Sequence, residues 1–269
     1  MFTVLEKSAR AAGIEVLSYF HKESHMHHKT SHRDLVTAAD IASQTLIQTI
    51  VVDELGKLGV LESEIGFIGE EHLEKKGTKH SFIIDPLDGT NNFASGLDYF
   101  CISIAHAIDG IPMESMIYWP SKDIVYYAVA GKGAYKIIKK GKPMRLSIQD
   151  ELLENSVVFI CLSSRQEYRK KTYLFLEKVS GTLRGTRMMG SACLDLVHLC
   201  DTENATHLTV NFHGYLWDVA AGYLIVKESG GVFTNDEGDE IVVDYSDSTK
   251  QYSYMAAHPN VIKELKKYL

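Results

Sequence analysis

The sequence is short of cysteine: four in 269 residues, none in a Cys-x-x-Cys pair. That spacing excludes a zinc knuckle and a dithiol redox motif. Cys101, Cys161, Cys193 and Cys200 read instead as buried, reduced thiols of a cytoplasmic protein. No run of about 18 apolar residues occurs, so no membrane-spanning helix is expected. The first residues lack a long apolar stretch behind basic ones, and Glu6 interrupts them, so no signal peptide is expected. Basic runs are missing too. With 28 Lys and Arg against 35 Asp and Glu, the formal charge of −7 repels phosphate backbones and argues against a nucleic-acid partner. An acidic protein that handles phosphate must bring its own positive charge, and a metal ion is the obvious source. Neither internal repeats nor low-complexity tracts appear.

What is present is an ordinary globular composition, 45% apolar and 23% charged, long enough for one large domain or two fused halves. The chain is organised around Ser81 to Thr90. Ser81 to Ile84 is a short, β-branched apolar run that reads as a buried strand. It ends in two carboxylates three apart, Asp85 and Asp88, with a φ-restricting proline between them and a permissive glycine after them. The pair is placed to share a cation, with peptide groups of Leu87, Gly89 and Thr90 facing the same pocket. Asp-Pro and Asp-Gly also mark plain surface turns, which is the alternative for this stretch alone.

Around this centre, apolar periodicity predicts a first helix over Val4 to Phe20 and a second beginning at Asp40. The acid there serves either as a helix cap or in chemistry. Between them lies His21 to His28, a histidine-bearing stretch that reads as a solvated loop able to bind transition metals adventitiously. Lys29 follows it, placed to close over a phosphate. A strand within Leu61 to Glu71 ends at Glu70. Tyr99 to Ile138 alternates as an antiparallel meander, and the pattern changes near Ser147 to Glu154. The division is therefore an N-terminal α+β half, 1–148, and a C-terminal α/β half, 149–269. In the second half, strands are expected at Val157 to Leu162, near Thr182 to Arg187, at Ala205 to Asn211, Val232 to Thr234 and Tyr252 to Ala257. Helices are expected at Glu167 to Val179, after Gly190, from Trp217 to Glu228, and at Asn260 to Leu269.

Three acidic signals stand out: Glu70 after a strand, the Asp85/Asp88 pair, and Asp218 at a helix start. Oxygen-only ligation without paired His or Cys suits Mg²⁺ or Mn²⁺ rather than zinc. Two such ions about 4 Å apart clamp a phosphate and activate water. Gly89 and Thr90 can donate backbone N–H groups to phosphate oxygens.

Phe67-Ile68-Gly69-Glu70-Glu71, Asp85-Pro86-Leu87-Asp88-Gly89-Thr90-Asn91-Asn92-Phe93 and Trp217-Asp218-Val219-Ala220-Ala221-Gly222 together resemble the inositol monophosphatase family of Mg²⁺-dependent, lithium-sensitive sugar phosphatases. Asp34-Leu35-Val36-Thr37 with Asp40, the Gly131-x-Gly133-Ala134 turn and Gly190-Ser191-Ala192 fall in the family's order, so the resemblance covers most of the chain. It implies a layered αβαβα sandwich and, as for most members, a homodimer. It also implies that Glu70, Asp85 and the Leu87 carbonyl hold a first metal, and Asp85, Asp88 and Asp218 a second. Glu70 then meets a third, weaker ion through water. Thr90, hydrogen-bonded to Asp40, orients and helps deprotonate the attacking water. The amides of Gly89 and Thr90 bind phosphate, Lys29 belongs to a mobile lid, and water near Asp218 protonates the leaving alkoxide. Ser191 and Ala192, with Ser163, are candidates for the leaving-group side.

One departure concerns specificity. Many members carry an acid seven positions before the Trp-Asp aspartate, where it recognises inositol hydroxyls; here that position is Asn211, followed by Phe212-His213-Gly214-Tyr215. An amide hydrogen-bonds a polyol without the charge-assisted strength of a carboxylate. The expected function is thus Mg²⁺-dependent hydrolysis of inositol monophosphate or a similar small polyol or sugar phosphate. Fructose-1,6-bisphosphatase and NADP phosphatase are the alternatives, and a non-catalytic phosphometabolite-binding relative stands further off. Asn91, where 3′-phosphoadenosine 5′-phosphate phosphatases usually carry a basic residue, speaks against that class.

Overall fold

Amphipathic spacing gives the chain its outer helices. In the computed structural model, which describes residues 1–22, 38–203 and 206–269 and the backbone of two short strands between, α1 runs Phe2–Tyr19 and α2 Ala38–Lys57. The helix begins two residues before Asp40, so that carboxylate sits inside the first turn, fully buried, rather than capping it. The short strands β1 (His27–His28) and β2 (Leu35–Val36) pair antiparallel. Lys29, Asp34, Thr37 and the side chains of the histidine-bearing stretch beyond Lys22 lie outside the described residues.

The first half continues with β3 (Ile65–Gly69), β4 (Leu73–Lys75), β5 (His80–Asp88), the short α3 (Thr90–Ala94), β6 (Cys101–Ile108), β7 (Ile111–Trp119), β8 (Ile124–Val129), β9 (Gly133–Ile138) and β10 (Met144–Arg145). These strands form one eight-stranded sheet in the order β10-β9-β8-β7-β6-β5-β3-β4. All neighbours are antiparallel except β3 and β5, which run parallel and bring Gly69 beside Ile84. The expected meander is β6 to β9.

The second half contributes β11 (Val157–Cys161), α4 (Gln166–Val179), β12 (Gly185–Arg187), α5 (Ala192–Cys200), β13 (Thr206–Tyr215), α6 (Leu216–Glu228), β14 (Val232–Thr234), β15 (Gln251–Ala257) and α7 (Pro259–Leu265). Its five strands order β12-β11-β13-β15-β14, with β11 parallel to both neighbours. Two expectations shift. Strand β13 continues four residues past Asn211 to Tyr215, because a bulge between Asn211 and Gly214 keeps it paired with β15. Helix α7 stops at Leu265, four residues short of the C-terminal Leu269.

Three apolar clusters separate five layers. One joins α1 and α2 to the outer face of the large sheet through Leu5, Ala9, Ile47, Val51, Phe67, Phe82 and Ile104. The central cluster packs α5 and α6 between the two sheets, with Leu196, Val219, Ile225, Tyr126 and Phe233 buried. The third seats α4 and α7 on the small sheet through Val158, Phe175, Val210 and Val261. Helix α6 is buried all round, as a helix sandwiched between sheets must be. The result is the αβαβα layering, and the strand ends and helix starts meet at one cleft. Among the described residues, no helix is long and apolar enough to cross a membrane.

Candidate active site

Strand β5 does not break open before the aspartates, as its sequence suggested; it runs through them to Asp88. Against β6, Asp85 pairs with Ser103 and Asp88 with Cys101, so β5 carries an extra residue there. In an unbroken strand, residues three apart point to opposite faces. The bulge restores parity, and both carboxylates line one cleft of about 280 Å³. Pro86 fits this irregularity because it has no N–H to give a ladder, while its carbonyl accepts from Ser43 Oγ on α2 at 2.7 Å.

The loop beyond is fixed by short contacts. Asp85 Oδ1 accepts the Leu87 N–H at 3.0 Å, and the Leu87 carbonyl accepts from Thr90 Oγ1 at 2.9 Å. Thr90 Oγ1 also lies 3.2 Å from Asp40 Oδ1, tying α3 to the first turn of α2. Gly89 is left-handed at φ +91°, and a Cβ there would stand 2.8 Å from the Tyr99 carbonyl oxygen. No other residue type satisfies both demands.

Asp88 faces the N-terminus of α5. Its carboxylate accepts N–H bonds from Ala192 (3.2 Å) and Cys193 (2.8 Å), the Ser191 hydroxyl, and the Cys101 thiol at 3.6 Å. Burial raises its pKa while these donors pull it back. Glu70 follows Gly69 at the end of β3, which the parallel register sets beside β5. Asp218 sits in the first turn of α6, where its Oδ2 accepts the Tyr215 N–H at 2.7 Å. Asp85 is 1% exposed, and its pKa is raised well above the carboxylate range, first by burial and then by the charges of Glu70 and Asp88.

The cleft is therefore lined by Glu70, Asp85, Asp88 and Asp218, with Leu87, Gly89 and Thr90 on one wall and Cys161, Met188 and Gly190 on the other. Neither Asp85 nor Asp88 has a Lys, Arg or His salt-bridge partner among the described residues. A buried concentration of carboxylate oxygens, beside a backbone carbonyl, is a donor set that fits hard divalent cations.

Other candidates fall differently. Ala192 is buried, and its N–H is spent on Asp88. Asn211 is 2% exposed, lines neither cavity described here, and uses Oδ1 to accept the His213 N–H at 2.9 Å. Lys29 lies outside the described residues.

The structure adds a feature that sequence reading noted only as unusual residues. A second cavity of about 580 Å³ opens from the first, sharing Glu70, Asn91, Leu162 and Asp218. Its remaining walls are Ser163, Ser164, Arg169, Tyr173, His213, Tyr215 and Trp217. Tyr215 and Trp217 stack at 5.0 Å and 12°, and Arg165 reaches the Tyr215 hydroxyl at 3.3 Å. Sequence alternation past Asn211 was the available signal: His213 and Tyr215 share a face of the extended β13.

The layered αβαβα architecture thus places an oxygen-donor cleft at the junction of its sheets. The profile of the inositol monophosphatase family matches residues 1–268, and the chain belongs to that family. It is 32% identical over 239 residues to inositol monophosphatase 1 of Solanum lycopersicum, covering 87% of this chain and 83% of that protein. It is likewise 32% identical over 234 residues to a fructose-1,6-bisphosphatase/inositol-1-monophosphatase of Thermotoga maritima, covering 87% and 84%. Among solved structures, the extragenic suppressor protein suhB of Bartonella henselae superposes with a TM-score of 0.84 at 26% identity, over 99% of this chain and 97% of that one.

Proposed function

We propose that the chain is a Mg²⁺-dependent phosphomonoesterase acting on inositol monophosphate or a similar small polyol or sugar phosphate. The observation that carries this reading is the convergence of Glu70, Asp85, Asp88 and Asp218 on one cleft, with Thr90 on its wall and Asp40 hydrogen-bonded behind it. Glu70, Asp85, the Leu87 carbonyl, Asp88 and Asp218 would hold two or three divalent ions, which supply positive charge for the phosphate and acidify a water.

The chain's own groups do the rest. Thr90 Oγ1 accepts a proton from the attacking water as its own passes to Asp40, whose fully buried carboxylate lies 3.2 Å away. Backbone N–H groups of Gly89 and Thr90 orient phosphate oxygens, and the left-handed Gly89 brings the main chain close. The alcohol portion extends into the second cavity, between Asp218 and the Ser163–Arg169 side.

A bisphosphate substrate is the second reading, and one observation favours it. Neither Arg165 nor Arg169 has a carboxylate partner among the described residues, and Arg169 lines that second cavity, where a distal phosphate would lie. The test is phosphate release with Mg²⁺ from inositol 1-phosphate, fructose 1,6-bisphosphate and NADP. Turnover of any one, abolished by Asp85→Asn, supports the phosphatase reading. Failure of all three with both Mg²⁺ and Mn²⁺ gives the function to a non-catalytic phosphometabolite binder.

A further inference from the structure

A thiol pair lies directly behind Asp88. Cys101 on β6 and Cys193 in the first turn of α5 are both wholly buried and come from opposite sides of the sheet–helix interface. With an Asp88 oxygen, their two sulfurs lie within 4.8 Å of one another. The Cys101 Sγ to Asp88 Oδ2 separation is 3.6 Å. A tetrahedral zinc with Zn–S of about 2.3 Å and Zn–O of about 2.0 Å needs an S···O edge of about 3.5 Å. Ser191 Oγ, 3.8 Å from Cys101 Sγ, is hydrogen-bonded to the same Asp88 oxygen, so the fourth ligand is left to water.

We infer that Asp88, Cys101 and Cys193 form a binding site for a thiophilic divalent cation, with Zn²⁺ as its probe, distinct in donor chemistry from the oxygen-only cleft. Mg²⁺ does not compete for the sulfurs, because it is hard and demands oxygen ligands, whereas thiolates select zinc. Asp88 lines the cleft, and the two sulfurs lie buried directly behind it. Binding exchanges two S–H bonds for two metal–sulfur bonds. The two protons leave to solvent, and no electron is transferred. Asp88 belongs to both donor sets, so zinc occupancy withdraws it from the cleft and inhibits; this consequence rests on the function proposed above, while the site itself does not.

Zinc K-edge X-ray absorption on the reduced full-length chain with one equivalent of Zn²⁺ tests the site. The expected first shell holds two sulfurs at about 2.3 Å. Cys101→Ser and Cys193→Ser each lose one sulfur, and Cys200→Ser keeps both. A shell of nitrogen and oxygen alone in the wild-type chain, as the His21 to His28 stretch would give, overturns the proposal without recourse to any variant. Phosphate release is read in parallel, with Zn²⁺ expected to inhibit the Mg²⁺-supported reaction at least tenfold more strongly in wild type than in Cys193→Ser. A two-sulfur shell in a chain that turns over no ester supports the zinc site and refutes the phosphatase reading instead.

Discussion

Four carboxylates gathered in one cleft make the metal-free fold carry charge that it would rather not. Asp85 shows this most plainly: buried, its pKa raised by desolvation and by Glu70 and Asp88, with the Leu87 N–H donating to its carboxylate. Asp85→Asn keeps the shape and removes the charge, so the metal-free variant is expected to melt at or above the wild-type temperature. Divalent cation reverses the order. At a hundredfold its Kd, a single cation stabilises the native state by about 2.7 kcal/mol, which for a chain of this size raises Tm by roughly 5 °C. Differential scanning calorimetry with EDTA and then with saturating Mg²⁺ reads both effects. Wild type is expected to gain that increment and Asp85→Asn to gain little. An equal gain in both proteins, or no gain in wild type, would refute the assignment of Asp85 to a cation.

Three further expectations rest on separate contacts. Thr90→Ala removes the hydroxyl that bridges Asp40 and Leu87, so kcat should fall on the order of 10²–10⁴-fold while the Mg²⁺-induced rise in Tm persists. Loss of the thermal shift along with the rate would show that Thr90 acts on metal binding instead. Lys136 on β9 is 5% exposed and holds Asp201 after α5 at 2.8 and 2.9 Å. Glu203 pairs with the same ammonium, so replacing Asp201 and Glu203 together with alanine strands it and should cost about 3–5 kcal/mol in urea denaturation, against under 1 kcal/mol for a surface pair such as Lys75–Glu62. His106 provides a pH dependence away from the cleft: burial, then the neighbouring His80, lowers its pKa from 6.5 to about 3. The unfolded chain therefore binds the proton first as pH falls, and stability present above pH 6.5 is lost toward pH 3. His106→Leu should remove on the order of 2 kcal/mol of the loss between pH 6.5 and pH 4.5, measured by urea midpoints at the two values. Parallel pH profiles for the two proteins would contradict it.

Local chemistry made much of this legible in the sequence. Strand β5 announces itself by its β-branched run, and Asp85-Pro86-Leu87-Asp88-Gly89-Thr90 keeps two carboxylates, a φ-restricting ring and a left-handed glycine within one short segment. The meander and the helix after Trp217 follow from periodicity. What resisted reading depends on packing between distant segments. That β5 continues through the aspartates, with a bulge aligning them, is decided by register against β6. That Asp88 is held by the first turn of α5 is a contact across 105 residues, and the partnership of Cys101 with Cys193 arises from the same docking. Asn211 looked like a polyol contact because of its spacing from Asp218, but spacing along the chain says nothing of the bulge that uses its side chain to accept the His213 amide. The second cavity was illegible for a related reason: β13 and the start of α6 bring His213, Tyr215 and Trp217 opposite Arg169 only once α4 has packed on the small sheet.

Anomalous diffraction from crystals soaked in Mn²⁺ tests the central claim most directly. The expected result is anomalous density within coordination distance of Glu70, Asp85, Asp88 and Asp218, weakened or lost in Asp85→Asn. Mn²⁺ bound elsewhere, with those four carboxylates left without it at saturating concentration, would contradict the account.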